Sequence, residues 1–151
     1  MFIFLDIDGV LIPDRLFDIS MPKVDMTKFD STCRMEFENV LRCYPKILIV
    51  ISSSWREVFP FEVIPPLFSP DIAQRVVGAT PFLEDLTVIQ FFRHQEVLAY
   101  LRQNQAVNSP WVAVDDIPEH YPPGTAVVAT DPSIGFDRIA AKALSEYLAS
   151  F

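Results

Sequence analysis

Short apolar runs recur along the chain, and polar or helix-forming segments separate them. Four runs stand out, at residues 2–5, 47–51, 111–114 and 125–129. A strand that is buried on both faces of a sheet is apolar at every position rather than at alternate ones. Each run therefore predicts an internal strand of a parallel sheet, and Val76–Ala79 predicts a shorter one.

The segments between these strands have the pattern of helices. Ser31 is predicted to cap a helix that runs to about Tyr44. Further helices are predicted over residues 55–60, 70–77, 93–104 and 137–151. Strands that alternate with helices predict a three-layer, Rossmann-like α/β domain, with a parallel central sheet and helices on both faces. The length of 151 residues fits a single domain over 1–151.

Polar side chains follow three of the predicted strands directly. Asp6 and Asp8 come after the first strand, Ser52 to Ser54 after the second, and Asp115 with Asp116 after residues 111–114. Open parallel sheets bind ligands outside the carboxyl ends of their strands. We therefore expect these widely separated residues to converge at one edge of the sheet.

The acidic residues in this set favour metal-assisted phosphoryl chemistry. Two carboxylates beside a cation can divide the work, because Asp6 can attack phosphorus while Asp8 carries a proton. Asp115 and Asp116 would be costly to bury unpaired, and a divalent cation removes that cost. Carboxylate clusters suit Mg²⁺. Each motif also has a plain alternative, since Asp6-Ile-Asp8 can start a solvated loop and Asp116 can signal a turn.

Hydroxyl and basic side chains supply candidate ligands for a phosphate. Ser52 comes first after its strand and is the favoured donor, with Ser53 next to it; the alternative role for either is a helix cap. Arg93 is the best candidate for a cation that neutralises the phosphate, and its alternative is an ordinary surface position. Arg56 can bind phosphate bidentately or lie on the surface. His94 and His120 lack metal-ligand spacing and are interpreted as structural.

Charge and composition narrow the class of partner. The net charge is −8 and no basic stripe is visible, which disfavours tight nonspecific nucleic-acid binding but leaves a small phosphorylated molecule or a nucleic-acid end open. No apolar run approaches the ~20 residues of a membrane span. Residues 1–5 lack the features of a signal peptide, so a cytoplasmic location is expected. Cys33 and Cys43 are expected to be buried, without a disulfide or zinc.

Together these motifs resemble those of the haloacid dehalogenase-like (HAD) hydrolase superfamily, over about residues 2–130. Asp6-Ile-Asp8-Gly9-Val10-Leu11 is similar to the first motif, Ser52 to the second, Arg93 to the third, and Asp115-Asp116 to the fourth. The superfamily usually has a lysine where this chain has Arg93. The run Ser53-Ser54-Trp55-Arg56, with 111–116 and 130–135, resembles a small branch that has been associated with nucleic-acid repair.

The resemblance implies a fold, a cofactor and a mechanism. Asp6 would be the nucleophile and form an aspartyl-phosphate, and Asp8 would be the general acid and then the base. Mg²⁺ would be held by Asp6, the backbone carbonyl of Asp8, and either Asp115 or Asp116. Ser52 and Arg93 would bind the transferring phosphoryl oxygens. The implied enzyme is a magnesium-dependent phosphatase with a phosphorylated substrate.

The resemblance also bears on access to the site. The segments that carry cap domains in this superfamily, residues 10–30 and 57–92, are short, so a minimal cap and an open site are expected. Five phenylalanines there can line the entrance or belong to the core: Phe59, Phe61, Phe68, Phe91 and Phe92. Two alternatives use the same residues, a phosphotransferase and a non-catalytic module that binds metal or phosphate. A two-component receiver domain is disfavoured because its nucleophile follows the third strand.

Overall fold

The computed structural model describes residues 1–14, 28–83 and 90–151. Its centre is a parallel five-stranded sheet in the order β3-β2-β1-β4-β5. The strands are β1 (Phe2–Leu5), β2 (Leu48–Ile51), β3 (Val76–Ala79), β4 (Trp111–Asp115) and β5 (Val127–Ala129). The predicted α/β architecture is confirmed, and the observed strands lie within or one residue beyond the predicted runs. The sequence pattern over residues 80–92 predicts no single element, and residues 84–89 of this stretch lie outside the described ranges.

In the described ranges, three helices of more than ten residues accompany the sheet: α1 (Ser31–Cys43), α4 (Phe92–Gln103) and α5 (Arg138–Leu148). Two single-turn helices, α2 (Trp55–Val58) and α3 (Pro70–Ala73), lie between β2 and β3. The predicted cap of α1 is wrong by one residue. Asp30, not Ser31, accepts hydrogen bonds from the backbone N–H groups of Thr32 and Cys33, at 2.9 and 3.0 Å, because a carboxylate one residue earlier reaches the free donors of the first turn.

The sheet is covered on both faces, as the apolar runs predict. On β1, Ile3 and Leu5 belong to the larger core with α1 and α5. Phe4 points to the opposite face and packs with Val97, Tyr100 and Leu101 of α4 and with Tyr121. Alternate residues of one strand therefore serve two cores, which is why the strand is apolar throughout.

The two cysteines differ in environment. Cys33 is buried, as expected, whereas Cys43 is exposed, so the prediction for Cys43 is wrong; the two are not joined in a disulfide. Cys43 is ten residues after Cys33 on the same helix, so its side chain points about 80° away from that of Cys33. Cys33 faces the core and Cys43 therefore does not. Among the helices in the described ranges, none combines the length and apolar character needed to cross a membrane.

Candidate active site at the carboxyl edge of the sheet

Backbone hydrogen bonds continue past the ends of the strands and set the predicted residues side by side. The N–H of Asp6 donates to the carbonyl of Val114 at 2.9 Å, and the N–H of Ser52 donates to that of Leu5 at 2.8 Å. β1 therefore lies between β2 and β4, and the first residues beyond these three strands share one edge. The expected convergence of Asp6, Ser52 and Asp115 is observed.

Three carboxylates meet at this edge. Asp6, Asp115 and Asp116 each place a carboxylate oxygen within 4.8 Å of the others. Asp6 and Asp115 are buried and Asp116 is half-buried. Burial, together with the neighbouring charge of Asp115, raises the pKa of Asp6 to about 7 and that of Asp116 to about 6. Hard oxygen ligands that repel one another in this way suit a divalent cation.

The Asp115 carboxylate is fixed from two sides. Its Oδ1 accepts from the backbone N–H of Ile117 at 2.9 Å, and its Oδ2 accepts from the hydroxyl of Tyr121 at 3.0 Å. Burial raises the pKa of Asp115 despite these bonds. Burial, reinforced by Asp115, also raises the pKa of Tyr121, so its hydroxyl remains a donor. The Tyr121 contact could not be predicted from the sequence, because it depends on the turn at residues 118–120.

The loop after β1 brings Gly9 against Asp116. Gly9 has φ +68°, and a Cβ at this position would lie 2.5 Å from the carboxylate of Asp116. Glycine is required here both by the left-handed backbone and by the close approach. The carbonyl of Gly9 accepts a hydrogen bond of 2.9 Å from the hydroxyl of Thr130, which follows β5. The loop that carries Asp8 is thus tied to two other segments of the edge.

Asp8 faces a different neighbour from the three clustered acids. Its Oδ1 accepts from the indole Nε1–H of Trp55 at 3.0 Å. Trp55 is the first residue of α2 and is buried. The backbone N–H of Trp55 donates to Ser53 Oγ at 3.4 Å, and the Ser53 side chain is close enough to Asp6 to lower the pKa of its carboxyl. Ser53 and Trp55 therefore each lie beside one acid of the first motif and contact one another.

Ser52 lies in the same region with its side chain fully buried. Its Oγ has no hydrogen-bonding partner within the described structure. A buried hydroxyl without a partner is uncommon, and a ligand oxygen would satisfy it. For Ser52 the alternative role as a helix cap does not apply, because its hydroxyl accepts from no backbone N–H of the described residues, whereas Ser53 Oγ accepts from the N–H of Trp55 at the start of α2.

Two arginines share one buried carboxylate next to these residues. Arg93 Nη1 donates to Glu96 Oε2 at 3.2 Å, and Arg56 Nη2 donates to Glu96 Oε1 at 2.5 Å. All three side chains are less than a tenth exposed, so the surface alternatives for Arg56 and Arg93 are wrong. Burial lowers the pKa of Arg93, but the attraction of Asp6 and Glu96 outweighs it and raises that pKa.

The two histidines lie near this region and contact aromatic rings. The His94 ring is tilted against that of Trp111, with 5.9 Å between the ring centroids, and the His120 ring contacts that of Phe92 edge to face at 4.5 Å. Burial lowers the pKa of each imidazole. Neither belongs to the cluster of possible metal ligands among the described residues. The structural interpretation of both histidines agrees with these contacts.

Comparison with protein-family models identifies the family of the chain. The model described as the HAD domain in Swiss Army Knife RNA repair proteins matches residues 2–141. The chain belongs to this family. Searches of the curated proteins and of the solved structures find no match to it. Membership in the HAD superfamily and the Rossmann-like fold, both predicted from the sequence, are confirmed, and the family supports a phosphohydrolase or phosphotransferase type of chemistry.

Proposed function

We propose that this HAD-family protein is a magnesium-dependent phosphatase that removes a terminal phosphate from an RNA end. The observation that carries the proposal is the meeting of Asp6, Asp115 and Asp116 within 4.8 Å of one another, at the edge where Ser52 presents an unpartnered hydroxyl. The first part of this arrangement suits a divalent cation and the second suits a phosphate oxygen. The family description supports RNA ends as the substrate class.

Asp6 is the proposed nucleophile. Its Oδ1 accepts from the backbone N–H of Ile7 at 2.7 Å, which fixes the orientation of the carboxylate. A carboxylate oxygen of Asp6 attacks phosphorus, a new O–P bond forms, and the bond from phosphorus to the ester oxygen breaks. Covalent catalysis of this kind divides one difficult displacement into two easier ones.

Asp8 is the proposed general acid and base. It gives a proton to the departing ester oxygen, and its carboxylate then takes a proton from the water that hydrolyses the aspartyl-phosphate. That second step breaks the bond between Asp6 and phosphorus and releases inorganic phosphate. The 3.0 Å hydrogen bond from Trp55 holds Asp8 in position for both transfers.

Ser52 and Arg93 are proposed to bind the oxygens of the transferring group, with Ser53 beside them. The Arg93 guanidinium supplies positive charge close to Asp6 and Asp115, where the phosphate needs it most. Asp6, Asp115 and Asp116, with the carbonyl of Asp8, are the proposed Mg²⁺ ligands. When bound, Mg²⁺ would neutralise charge on the phosphate and keep the raised-pKa carboxylates ionised.

Turnover of p-nitrophenyl phosphate and of phosphorylated RNA ends, with and without Mg²⁺, tests the proposal. Wild type should need Mg²⁺, Asp6→Asn should be inactive, and Asp8→Asn should lose about 10²–10⁴-fold in kcat because the proton transfer is lost. Trapping of ³²P on wild type but not on Asp6→Asn would identify the intermediate. Equal rates for wild type and Asp6→Asn would refute the nucleophile, and no Mg²⁺-dependent turnover would refute the enzyme. Release of phosphate only to an added alcohol would indicate a phosphotransferase.

A further inference from the structure

A cavity of about 730 Å³ lies between the start of α1 and residues 55–67. This volume is within the range of small-molecule binding sites. Three aromatic rings line it, those of Phe29, Trp55 and Phe59. The Trp55 ring centroid is 4.9 Å from that of Phe59 and 6.2 Å from that of Phe29, so the rings form one continuous aromatic wall.

Trp55 joins this cavity to the candidate active site. One edge of its indole donates to Asp8, the proposed general acid, while the ring itself lines the cavity. A general acid must lie next to the oxygen that leaves with the rest of the substrate. The cavity therefore adjoins Asp8, the residue that faces the leaving oxygen in the proposed mechanism.

The charge around the cavity contrasts with that of the chain. The chain carries a net charge of −8, yet the charged residues that line the cavity within the described ranges are Lys28 and Arg34, both basic. Arg34 donates one hydrogen bond to the carbonyl of Leu67 at 3.2 Å and lies 4.0 Å from the carboxylate of Glu38, and two-fifths of its side chain is exposed. In nucleotide binding, aromatic rings stack on the base and basic side chains bind the neighbouring phosphodiester, so this lining suits a nucleotide.

We propose that this aromatic cavity binds the nucleobase of the RNA nucleotide that carries the scissile phosphate. Lys28 and Arg34 then face the phosphodiester that links this nucleotide to the next. Aromatic side chains that stack on unpaired bases are the usual means of holding single-stranded RNA. The proposal rests on the proposed function and adds to it a requirement for a base at the reacting end.

Two matched carboxylate substitutions test the cavity. Val63 lines it and is 46% exposed, whereas Val58 lies outside its lining and is 73% exposed. Both positions accept an aspartate without burying it, and both add the same charge to the same segment. The substrates are p-nitrophenyl phosphate, a short single-stranded RNA phosphorylated at its 3′ or 5′ end, and the same RNA with an abasic terminal nucleotide.

We expect wild type to favour the RNA with a terminal base over the abasic RNA by about tenfold in kcat/KM. Val63→Asp should lose about tenfold on the RNA with a base and keep its rate on p-nitrophenyl phosphate, while Val58→Asp should resemble wild type on every substrate. Equal rates of wild type on the two RNAs, or equal losses in the two variants, would overturn the base site. Turnover of p-nitrophenyl phosphate without turnover of RNA would overturn it too. If wild type shows no Mg²⁺-dependent turnover of any of these substrates, the proposed function itself is refuted, rather than the base site alone.

Discussion

At the scale of single residues, the candidate site depends on close contacts that would not tolerate a larger or displaced side chain. Gly9 touches the carboxylate of Asp116, Trp55 holds Asp8, and Tyr121 holds Asp115. None of these supporting residues is itself a proposed nucleophile or metal ligand. They orient the carboxylates that do have these proposed roles. A catalytic carboxylate displaced by 1 Å can lose most of its catalytic effect.

Gly9→Ala should weaken Mg²⁺ binding, because the added methyl group meets the carboxylate of Asp116 at 2.5 Å. Gly124→Ala is the matched control. Gly124 also has a positive φ, of +86°, but a Cβ there has nothing within 4 Å, so the backbone strain is similar and the clash is missing. Calorimetric titration with Mg²⁺ should give about tenfold weaker binding for Gly9→Ala only. The same affinity in both variants would show that the contact with Asp116 does not matter.

At the scale of elements, the site is assembled from turns that follow strands and from one face of α4. Arg93 and Glu96 are three residues apart on this helix and so lie on the same face. Glu96 also reaches Arg56 in α2. The pair of α2 and α4 therefore delivers two guanidinium groups and one carboxylate, a net positive charge, to the side of the site where the phosphate is proposed to bind.

Glu96→Gln should destabilise the protein by about 3 kcal/mol, because it removes the buried carboxylate that both guanidinium groups contact. Chemical denaturation measures this loss in the free energy of unfolding. Adding Arg56→Met to the same chain should restore part of the loss, since the remaining Arg93 is still attracted by Asp6 and Asp115. An unchanged free energy of unfolding in Glu96→Gln would mean that the carboxylate does not hold the arginines together.

At the scale of the whole molecule, the acidic cluster links stability to pH and to metal. Burial raises the pKa of Asp6 from 3.8 to about 7. Below pH 4 this carboxyl is mostly protonated in both the folded and the unfolded chain, so its burial does not lower the free energy of unfolding. As the pH rises from about 4 to 7 the unfolded chain ionises first, and the metal-free folded state loses stability. A bound cation removes the repulsion and reverses this loss.

Mg²⁺ should therefore raise the melting temperature more at pH 8 than at pH 5. At a hundredfold excess over the dissociation constant the stabilisation is about 2.7 kcal/mol, or roughly 5–10 °C for a chain of this length. Calorimetry at the two pH values, with EDTA or with Mg²⁺, measures the difference. Asp6→Asn should flatten the pH dependence of the metal-free protein, and an equal Mg²⁺ shift at both pH values would contradict the linkage.

The sequence by itself determined the sheet, the order of its helices, and the edge at which the polar residues meet. Continuous apolar runs can be satisfied only by strands buried on both faces, and parallel strands place their carboxyl ends together. Tertiary structure alone decided which groups surround each acid. The contacts of Trp55 with Asp8, of Tyr121 with Asp115, and of Glu96 with Arg56 join residues 6 to 47 positions apart. Loop conformation and helix rotation, which no local pattern encodes, bring these side chains within hydrogen-bonding distance.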